Sequence, residues 1–209
     1  MEKFTVGEAV GFGWEKAKAH IGFFIGAGLA VAIISAIIGG IFGGIFGDKS
    51  IITNIVSLLV GLFFQISITI IALKIMAGEA PVFSDIFQGY KSFLNVLIDY
   101  FIVFIVVVIG LIFLIIPGIY LALRLQFYMY FILDKGMAPI DALKASWAAT
   151  QDQTMNLFIL GLALIGINLL GLICLVVGLL VTIPLSVLAS ALVYTKLSSL
   201  PPAQTAIVE

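Results

Sequence analysis

The sequence predicts an all-α membrane protein whose six transmembrane helices form three repeats of an interfacial amphipathic helix plus a helical hairpin. Three observations predict this fold class: 63% of the residues are hydrophobic, only 10% are charged, and the charges gather between six long apolar stretches. Such a composition lies far outside the range of soluble globular domains. Because lipid cannot hydrogen-bond to peptide groups, each stretch is expected to be helical. We predict one integral membrane domain over residues 1–209, ending in a short tail at 198–209.

The predicted spans differ in length, and the fourth is the shortest. They are Ile21–Phe46, Ile51–Met76, Leu94–Ile116, Ile119–Leu133, Met155–Ile173 and Gly178–Leu197. At the α-helical rise of about 1.5 Å per residue, the fourth span is about 22 Å long, which is shorter than a hydrocarbon core of about 30 Å. It can extend to Lys135, thin the bilayer locally or be shielded by neighbouring helices. Tight outer turns are predicted at Pro117-Gly118 and between Gly171 and Gly178.

The basic residues predict the orientation of the spans. If both termini are cytoplasmic, Lys49 faces outward and eight lysines face the cytoplasm, namely Lys3, Lys16, Lys18, Lys74, Lys91, Lys135, Lys144 and Lys196. Short loops follow the positive-inside tendency, so this asymmetry favours cytoplasmic N- and C-termini. The formal net charge of -1 provides no basic field for nucleic acid.

A short amphipathic segment precedes each pair of spans, and each segment ends in a small residue followed by an aromatic one. The segments end in Gly13-Trp14, Gly89-Tyr90 and Ser146-Trp147, and the repeats containing them cover residues 4–76, 79–134 and 136–197. Trp14, Tyr90 and Trp147 are predicted interfacial anchors, Ser84 a predicted N-cap, and Pro139 suits a first helical turn. A true repeat predicts pseudo-threefold symmetry about the membrane normal. The alternative is that amphipathic segments precede the hairpins independently.

Four short sequence motifs follow one another along the chain: Gly78–Phe87, Ile115–Arg124, Asp141–Trp147 and Val181–Leu185. Their order and spacing resemble a family of uncharacterised bacterial multi-pass membrane proteins related to the membrane domain of glycerophosphoryl diester phosphodiesterases. The resemblance covers most of residues 4–197. It implies a helix bundle in the bacterial cytoplasmic membrane and no catalytic residues. Because the sequence contains no soluble phosphodiesterase domain, lipid-diester hydrolysis is not expected.

No group of residues in the sequence has the composition or spacing of a catalytic, cofactor-binding or metal-binding set. His20 is the only histidine and Cys174 the only cysteine, and neither has further ligand types at metal-binding spacing. Nucleophile–histidine–carboxylate sets and phosphate-binding glycine loops are likewise not visible. We therefore predict a protein that is not an enzyme and uses no cofactor.

Arg124 is the most informative charge, because a cation inside a span costs several kcal/mol unless it is paired or hydrated. Measured from Pro117, it lies about 10 Å below the outer boundary. Asn168 is predicted at a similar depth, and Gln65 lies within the second span. Arg124, Gln65 and Asn168 are the candidate ligand or lipid contacts. The alternative for Arg124 is a structural role or a side chain that snorkels to the interface.

Two sets of residues are predicted to act structurally. Asp99 is expected near the cytoplasmic face, paired with Lys74 or Lys135. Small residues spaced four apart let helix backbones approach closely, and the predicted packing positions are Gly39, Gly43, Gly47, Ser186 and Ser190.

The leading functional hypothesis is a non-catalytic integral membrane protein that acts through assembly, as an accessory subunit, scaffold or homo-oligomer. The small-residue spacing and the scarcity of charges across the middle of the bilayer favour it. The alternative is a carrier or flippase for a lipid or hydrophobic small molecule, using a polar site around Arg124. Membrane lipids and either a second copy or another membrane protein are the expected partners.

Overall fold

The computed structural model describes residues 4–48, 50–174 and 178–198, and these form helices without strands. The helices are α1 Val6–Ala19, α2 Ile21–Phe46, α3 Ile51–Met76, a 3-10 helix at Phe83–Lys91, α4 Phe93–Phe113, α5 Ile115–Leu125, α6 Tyr128–Lys135, α7 Pro139–Ala149, α8 Thr154–Ile173 and α9 Leu179–Ser198. Lys3, Lys49, residues 175–177 and the predicted tail from 199 onward lie outside the described residues. The predicted all-α class is confirmed.

In the described part of the chain, six helical segments are long and apolar enough to cross a membrane, as the sequence predicted. The fourth is Ile115–Lys135 and consists of α5 followed by α6. The predicted turn at Pro117-Gly118 is wrong, because the chain reverses at Leu114, whose backbone is extended. Pro117 lies instead in the first turn of α5, where a helix does not need its missing N–H. The fourth span is therefore longer than predicted, and the chain is a multi-pass membrane protein.

The predicted order of one short helix before each hairpin is present three times. These short helices are α1, the 3-10 helix and α7, and Pro139 begins α7 as predicted. The second unit differs from the others, because its short helix is 3-10 and its second span is divided. The predicted N-cap at Ser84 is wrong: the 3-10 helix is capped at Val82, through the Asp85 side chain. Threefold symmetry stays a prediction.

Glycines bring helices together at positions that differ from the predicted ones. A Cβ on Gly110 of α4 would lie 3.0 Å from the Cα of Gly118 in α5, so this hairpin closes backbone to backbone. A Cβ on Gly39, by contrast, would have no described atom within 4 Å. The atoms nearest to a Cβ on Gly43 would belong to the turn residue Asp48. Gly47 ends α2 with a φ of 88°, which favours glycine. The predicted packing role of these three residues, for which the partner helix was left open between this chain and another subunit, stays a prediction.

The serines predicted as packing positions in α9 make hydrogen bonds instead. The Ser186 hydroxyl accepts a hydrogen bond from Asn168 Nδ2 of α8 at 2.8 Å and so links the two helices. Ser190 donates to the carbonyl of Ser186 within its own helix.

Helices α1 and α9 pack side by side and bring the two described ends of the chain together. Ala9, Gly13 and Ala17 form the buried face of α1, and a Cβ on Gly13 would contact the carbonyl oxygen of Leu185. The Lys196 ammonium donates to the Glu8 carboxylate at 2.5 Å and lowers its pKa from the ordinary value. The ion pair therefore stabilises the folded state above the ordinary carboxylate pKa and is lost as the pH falls through the lowered one.

Tyr194 of α9 is buried at the centre of an aromatic cluster. Its ring lies 5.0 Å from that of Phe131 and 5.2 Å from that of Tyr130, both in α6. Its hydroxyl donates to the Asp134 carboxylate at 2.7 Å. The second half of the fourth span is therefore a core helix, shielded by neighbouring helices, which was one of the options left open for it.

The predicted ion pair of Asp99 is wrong. Lys74 binds Asp85 at 2.6 Å, and Lys135 donates to the carbonyl of Ser198 at 3.3 Å. Asp99 is fully buried, and neither carboxylate oxygen has a hydrogen-bond partner among the described residues. Lys74 pairs with Asp85 because the 3-10 helix packs directly on α3. The sequence did not reveal this packing.

Candidate functional site

A break between α5 and α6 positions Arg124. In a continuous helix the carbonyl of residue 124 would accept the N–H of residue 128. Here the hydroxyl of Ser146 in α7 donates to that carbonyl at 2.9 Å. The hydroxyl of Thr150, the C-cap of α7, lies 3.1 Å from the same carbonyl and 2.8 Å from the carbonyl of Ser146. The N–H of Phe127 in turn donates to Ser146 Oγ at 3.1 Å. Helix α7 thus satisfies the backbone groups that the break exposes, as membrane proteins require.

We expect Ser146→Ala to lower the free energy of unfolding by about 2 kcal/mol, because it removes a fully buried hydroxyl that serves both sides of the break. In this variant the Thr150 hydroxyl can still donate to the Arg124 carbonyl. Most of the lost stability therefore comes from the Phe127 N–H, which no longer has an acceptor. Unfolding of the purified protein by sodium dodecyl sulfate in mixed micelles measures the change. The matched control is Ser84→Ala, which alters an exposed serine and should shift stability by less than about 0.5 kcal/mol. Equal effects of the two substitutions would contradict the proposed role of Ser146.

The Arg124 side chain lies against two aromatic rings. Its guanidinium carbon is 4.3 Å from the centroid of the Trp147 ring and 5.7 Å from that of Tyr120. Cation–π attraction of this kind is strongest over tryptophan and grows with desolvation. Only 4% of Arg124 is exposed, its Nε has no hydrogen-bond partner, and within the described residues no carboxylate lies within 4.0 Å of it. The positive charge is therefore held by rings and not neutralised by an ion pair.

Arg124 faces a cavity of about 520 Å³, here called the Arg124 cavity. Its lining consists of Tyr120, Arg124, Trp147, Gln151, Asp152, Thr154 and Met155. Helix α8 starts at this cavity with no side-chain cap, so the free N–H groups of its first turn add positive potential. Asp152 adds one negative charge and an unusual backbone with a φ of 64°. The volume, aromatic walls and few polar groups of the Arg124 cavity are typical of a site that binds a small molecule or a lipid headgroup.

An apolar groove adjoins the Arg124 cavity. This α5–α8 groove has a volume of about 410 Å³ and is lined by Ile116, Ile119, Tyr120, Leu123, Thr154, Met155 and Phe158. Tyr120, Thr154 and Met155 line both spaces, so the cavity and the groove are neighbours. A charged cavity beside a hydrocarbon-lined groove matches an amphiphile with one charged end.

The three predicted ligand contacts do not come together. Gln65 lines a separate cavity of about 320 Å³ between α2, α3 and α9. Asn168 donates to Ser186 and to the Leu164 carbonyl, and it lies about 21 Å along α8 from Thr154, which lines the Arg124 cavity. The predicted similarity in depth of Arg124 and Asn168 is wrong, because Arg124 shares its cavity with the first turn of α8 and not with its far end.

Sequence reasoning missed most of the groups around Arg124. It singled out Trp147 only as an interfacial anchor, and the ring in fact covers the guanidinium while 39% of the residue stays exposed. Tyr120 was detectable, because it precedes Arg124 by four residues and so shares its helix face. The polar run from Thr150 to Thr154, just before an apolar span, was the signal for the rest. The other two predicted anchors, Trp14 and Tyr90, are 51% and 66% exposed.

Comparison with protein-family models, with curated proteins and with solved structures gave no match. Within residues 4–48, 50–174 and 178–198, no group of three His, Cys, Asp or Glu side chains is placed to hold a metal ion. A fixed cation, two rings and an adjoining apolar groove can bind and orient an amphiphilic anion.

Proposed function

We propose that this chain is a non-catalytic integral membrane protein that binds a membrane phospholipid at the Arg124 cavity, as a lipid carrier or flippase does. The observation that carries the proposal is a buried guanidinium beside an apolar groove, with no carboxylate partner among the residues that the structure describes. A phosphodiester supplies the missing negative charge and accepts two parallel N–H donors from arginine. The acyl chain then occupies the groove between α5 and α8.

The energetics favour a bound anion over an empty cavity. A buried cation costs several kcal/mol unless an anion or hydrogen bonds compensate for its lost hydration. Two aromatic rings offset about 2 kcal/mol of this cost, and Arg124 lines the cavity in which an anion can offset the rest. A phosphate placed there contacts both Arg124 and the first turn of α8, a helix terminus that favours anions.

We also propose that the protein lies in the bacterial cytoplasmic membrane with both termini in the cytoplasm. The lysine asymmetry supports cytoplasmic termini, and the family resemblance supports the bacterial cytoplasmic membrane. The Glu8–Lys196 ion pair supports a shared side for the two ends of the chain. In this orientation the Arg124 cavity, next to the start of α8, lies toward the cytoplasmic leaflet, from which the headgroup enters.

Assembly with a second copy or another membrane protein is a second candidate function, and one observation favours it. A Cβ on Gly39, Gly40 or Gly44 of α2 would have no described atom within 4 Å, so packing against the described part of the chain does not explain these glycines. A ridge of large side chains lies on the same helix, with Ile33 59% and Ile37 56% exposed. Ridges and small-residue grooves of this kind suit helix–helix contact in lipid.

Native mass spectrometry of the detergent-solubilised protein tests the first candidate. Titration with dioleoyl phosphatidylethanolamine and dioleoyl phosphatidylglycerol, both phosphodiesters, reports the lipid bound per chain. We expect Arg124→Gln to weaken retention of both lipids about tenfold, which is the effect of one charge-assisted hydrogen bond. Arg124→Lys keeps the charge and should retain most of the binding. The same spectra report copy number and so test assembly.

Lys144→Gln is the matched control, because its ammonium is 76% exposed and makes only a 3.9 Å contact with Asp141. It should leave lipid retention unchanged. A thermal unfolding curve for each variant separates lost binding from lost folding. Retention that is equal in wild type and in a folded Arg124→Gln variant would overturn the proposed function.

A further inference from the structure

The Arg124 cavity contains a second charge that a simple anion site does not need. Asp152 lines the cavity together with Arg124, yet the two do not form an ion pair. It is the one non-glycine residue with a positive φ, 64°, in the described part of the chain. Such a conformation is uncommon outside glycine, asparagine and aspartate. Asparagine would suit this backbone at least as well, so the conformation does not explain the carboxylate.

We propose that Arg124 and Asp152 together select a zwitterionic phospholipid whose headgroup carries an ammonium group, over a lipid whose headgroup is anionic overall. This inference rests on the proposed function and specifies its substrate class. The phosphate lies against the Arg124 guanidinium and the first turn of α8, and the ammonium lies toward the Asp152 carboxylate. Gln151 and Thr154, which also line the cavity, supply oxygen acceptors for the N–H groups of a primary amine.

Charge balance supports this substrate class. With Arg124 and Asp152 both ionised, the pair of cavity charges sums to zero, and a zwitterion preserves that sum while pairing both groups. A lipid with a net negative headgroup pairs Arg124 but leaves Asp152 facing a like charge, which disfavours it. The α5–α8 groove begins at Tyr120, Thr154 and Met155, so the glycerol and acyl chain leave the cavity along a hydrocarbon-lined surface.

An ordinary structural role for Asp152 makes a different prediction. A carboxylate two residues before the first residue of α8 interacts favourably with the helix dipole, whatever lipid is bound. In that case Asp152→Asn changes stability slightly and raises the retention of every phosphodiester by the same factor. Selectivity between headgroups is therefore the readout that a structural role does not move.

The experiment compares retention of dioleoyl phosphatidylethanolamine and dioleoyl phosphatidylglycerol by the wild type, Asp152→Asn and Asp141→Asn, using native mass spectrometry at matched lipid concentration. We expect the wild type to prefer the ethanolamine lipid about tenfold. Asp152→Asn should abolish the preference, mainly by raising retention of the glycerol lipid. Asp141→Asn changes an exposed carboxylate in α7 and should keep the preference.

Each outcome has a separate meaning. Equal retention of the two lipids by the wild type, with the Arg124 dependence intact, overturns this inference and leaves the proposed function standing. Loss of the Arg124 dependence overturns both. Glycerophosphoethanolamine, which has the headgroup without acyl chains, should fail to displace the lipid at equal concentration. Displacement by it would overturn the role of the groove and identify a site for soluble phosphodiesters.

Discussion

Replacing Asp85 with alanine is expected to lower the free energy of unfolding by about 3 kcal/mol, the largest loss expected for a single side chain outside the aromatic core. The carboxylate is fully buried and accepts three hydrogen bonds: from the Val82 N–H at 2.9 Å, from Gln88 Nε2 at 2.7 Å and from Lys74 Nζ at 2.6 Å. Without this carboxylate, the Val82 N–H at the start of the 3-10 helix has no hydrogen-bond acceptor. Because Lys74 is 28% exposed, water rehydrates its ammonium and keeps the loss below that of a fully buried ion pair.

Unfolding in mixed dodecyl sulfate micelles measures this loss, and Asp141→Ala provides the matched control. Asp141 lies near the start of α7, as Asp85 does in the 3-10 helix, but it is 68% exposed and 3.9 Å from Lys144. Exposed pairs of this kind contribute about 0–1 kcal/mol. A loss of less than about 1 kcal/mol for Asp85→Ala would show that the 3-10 helix is held mainly by its apolar contacts.

Replacing Asp99 with leucine is expected to have the opposite effect and raise the free energy of unfolding by about 2 kcal/mol. Both carboxylate oxygens are buried without a hydrogen-bond partner among the described residues, so the native side chain is desolvated without compensation. Leucine is close in size and removes the polar atoms. Replacement of uncompensated buried polar groups by apolar ones of similar volume is often stabilising.

Asp134→Leu is the control for this prediction, because its carboxylate accepts the Tyr194 hydroxyl at 2.7 Å. It should destabilise the protein, since the tyrosine hydroxyl then loses its acceptor. If Asp99→Leu also destabilises the protein, the prediction is wrong. Asp99 would then have a compensating partner outside the described residues, such as a lipid group or another chain. Measuring both variants in lipid nanodiscs as well as in micelles distinguishes a lipid partner from a protein partner.

Local composition was sufficient for the membrane class and for the number of spans. Segments such as Ile21–Phe46 and Ile51–Met76 consist of apolar residues over more than the bilayer thickness, and this property depends on no other part of the chain. The first helical turn at Pro139 followed from proline's fixed φ for the same reason. These features could be predicted because each is decided within a few consecutive residues and by the solvent.

The candidate site could be predicted only in part. Arg124 stood out because a charge within an apolar span is costly, whatever surrounds it. Its environment could not be derived, since Trp147 and Asp152 come from another helix and the loop that follows it. Gln65 and Asn168 stood out for the same reason as Arg124 but occupy other places in the bundle. Polarity within a span shows that a partner is needed without showing which one.

Sequence by itself therefore determined that this is a six-span, all-helical membrane protein with a cation of interest in the fourth span. Only the tertiary structure decided that Lys74 pairs with Asp85, that Asp99 has no partner among the described residues, and that α7 caps a break beside Arg124. The reason is the range of the interactions. Hydrophobicity acts on each residue through its solvent, whereas hydrogen bonds and ring contacts act over a few ångströms between residues that the fold alone brings together.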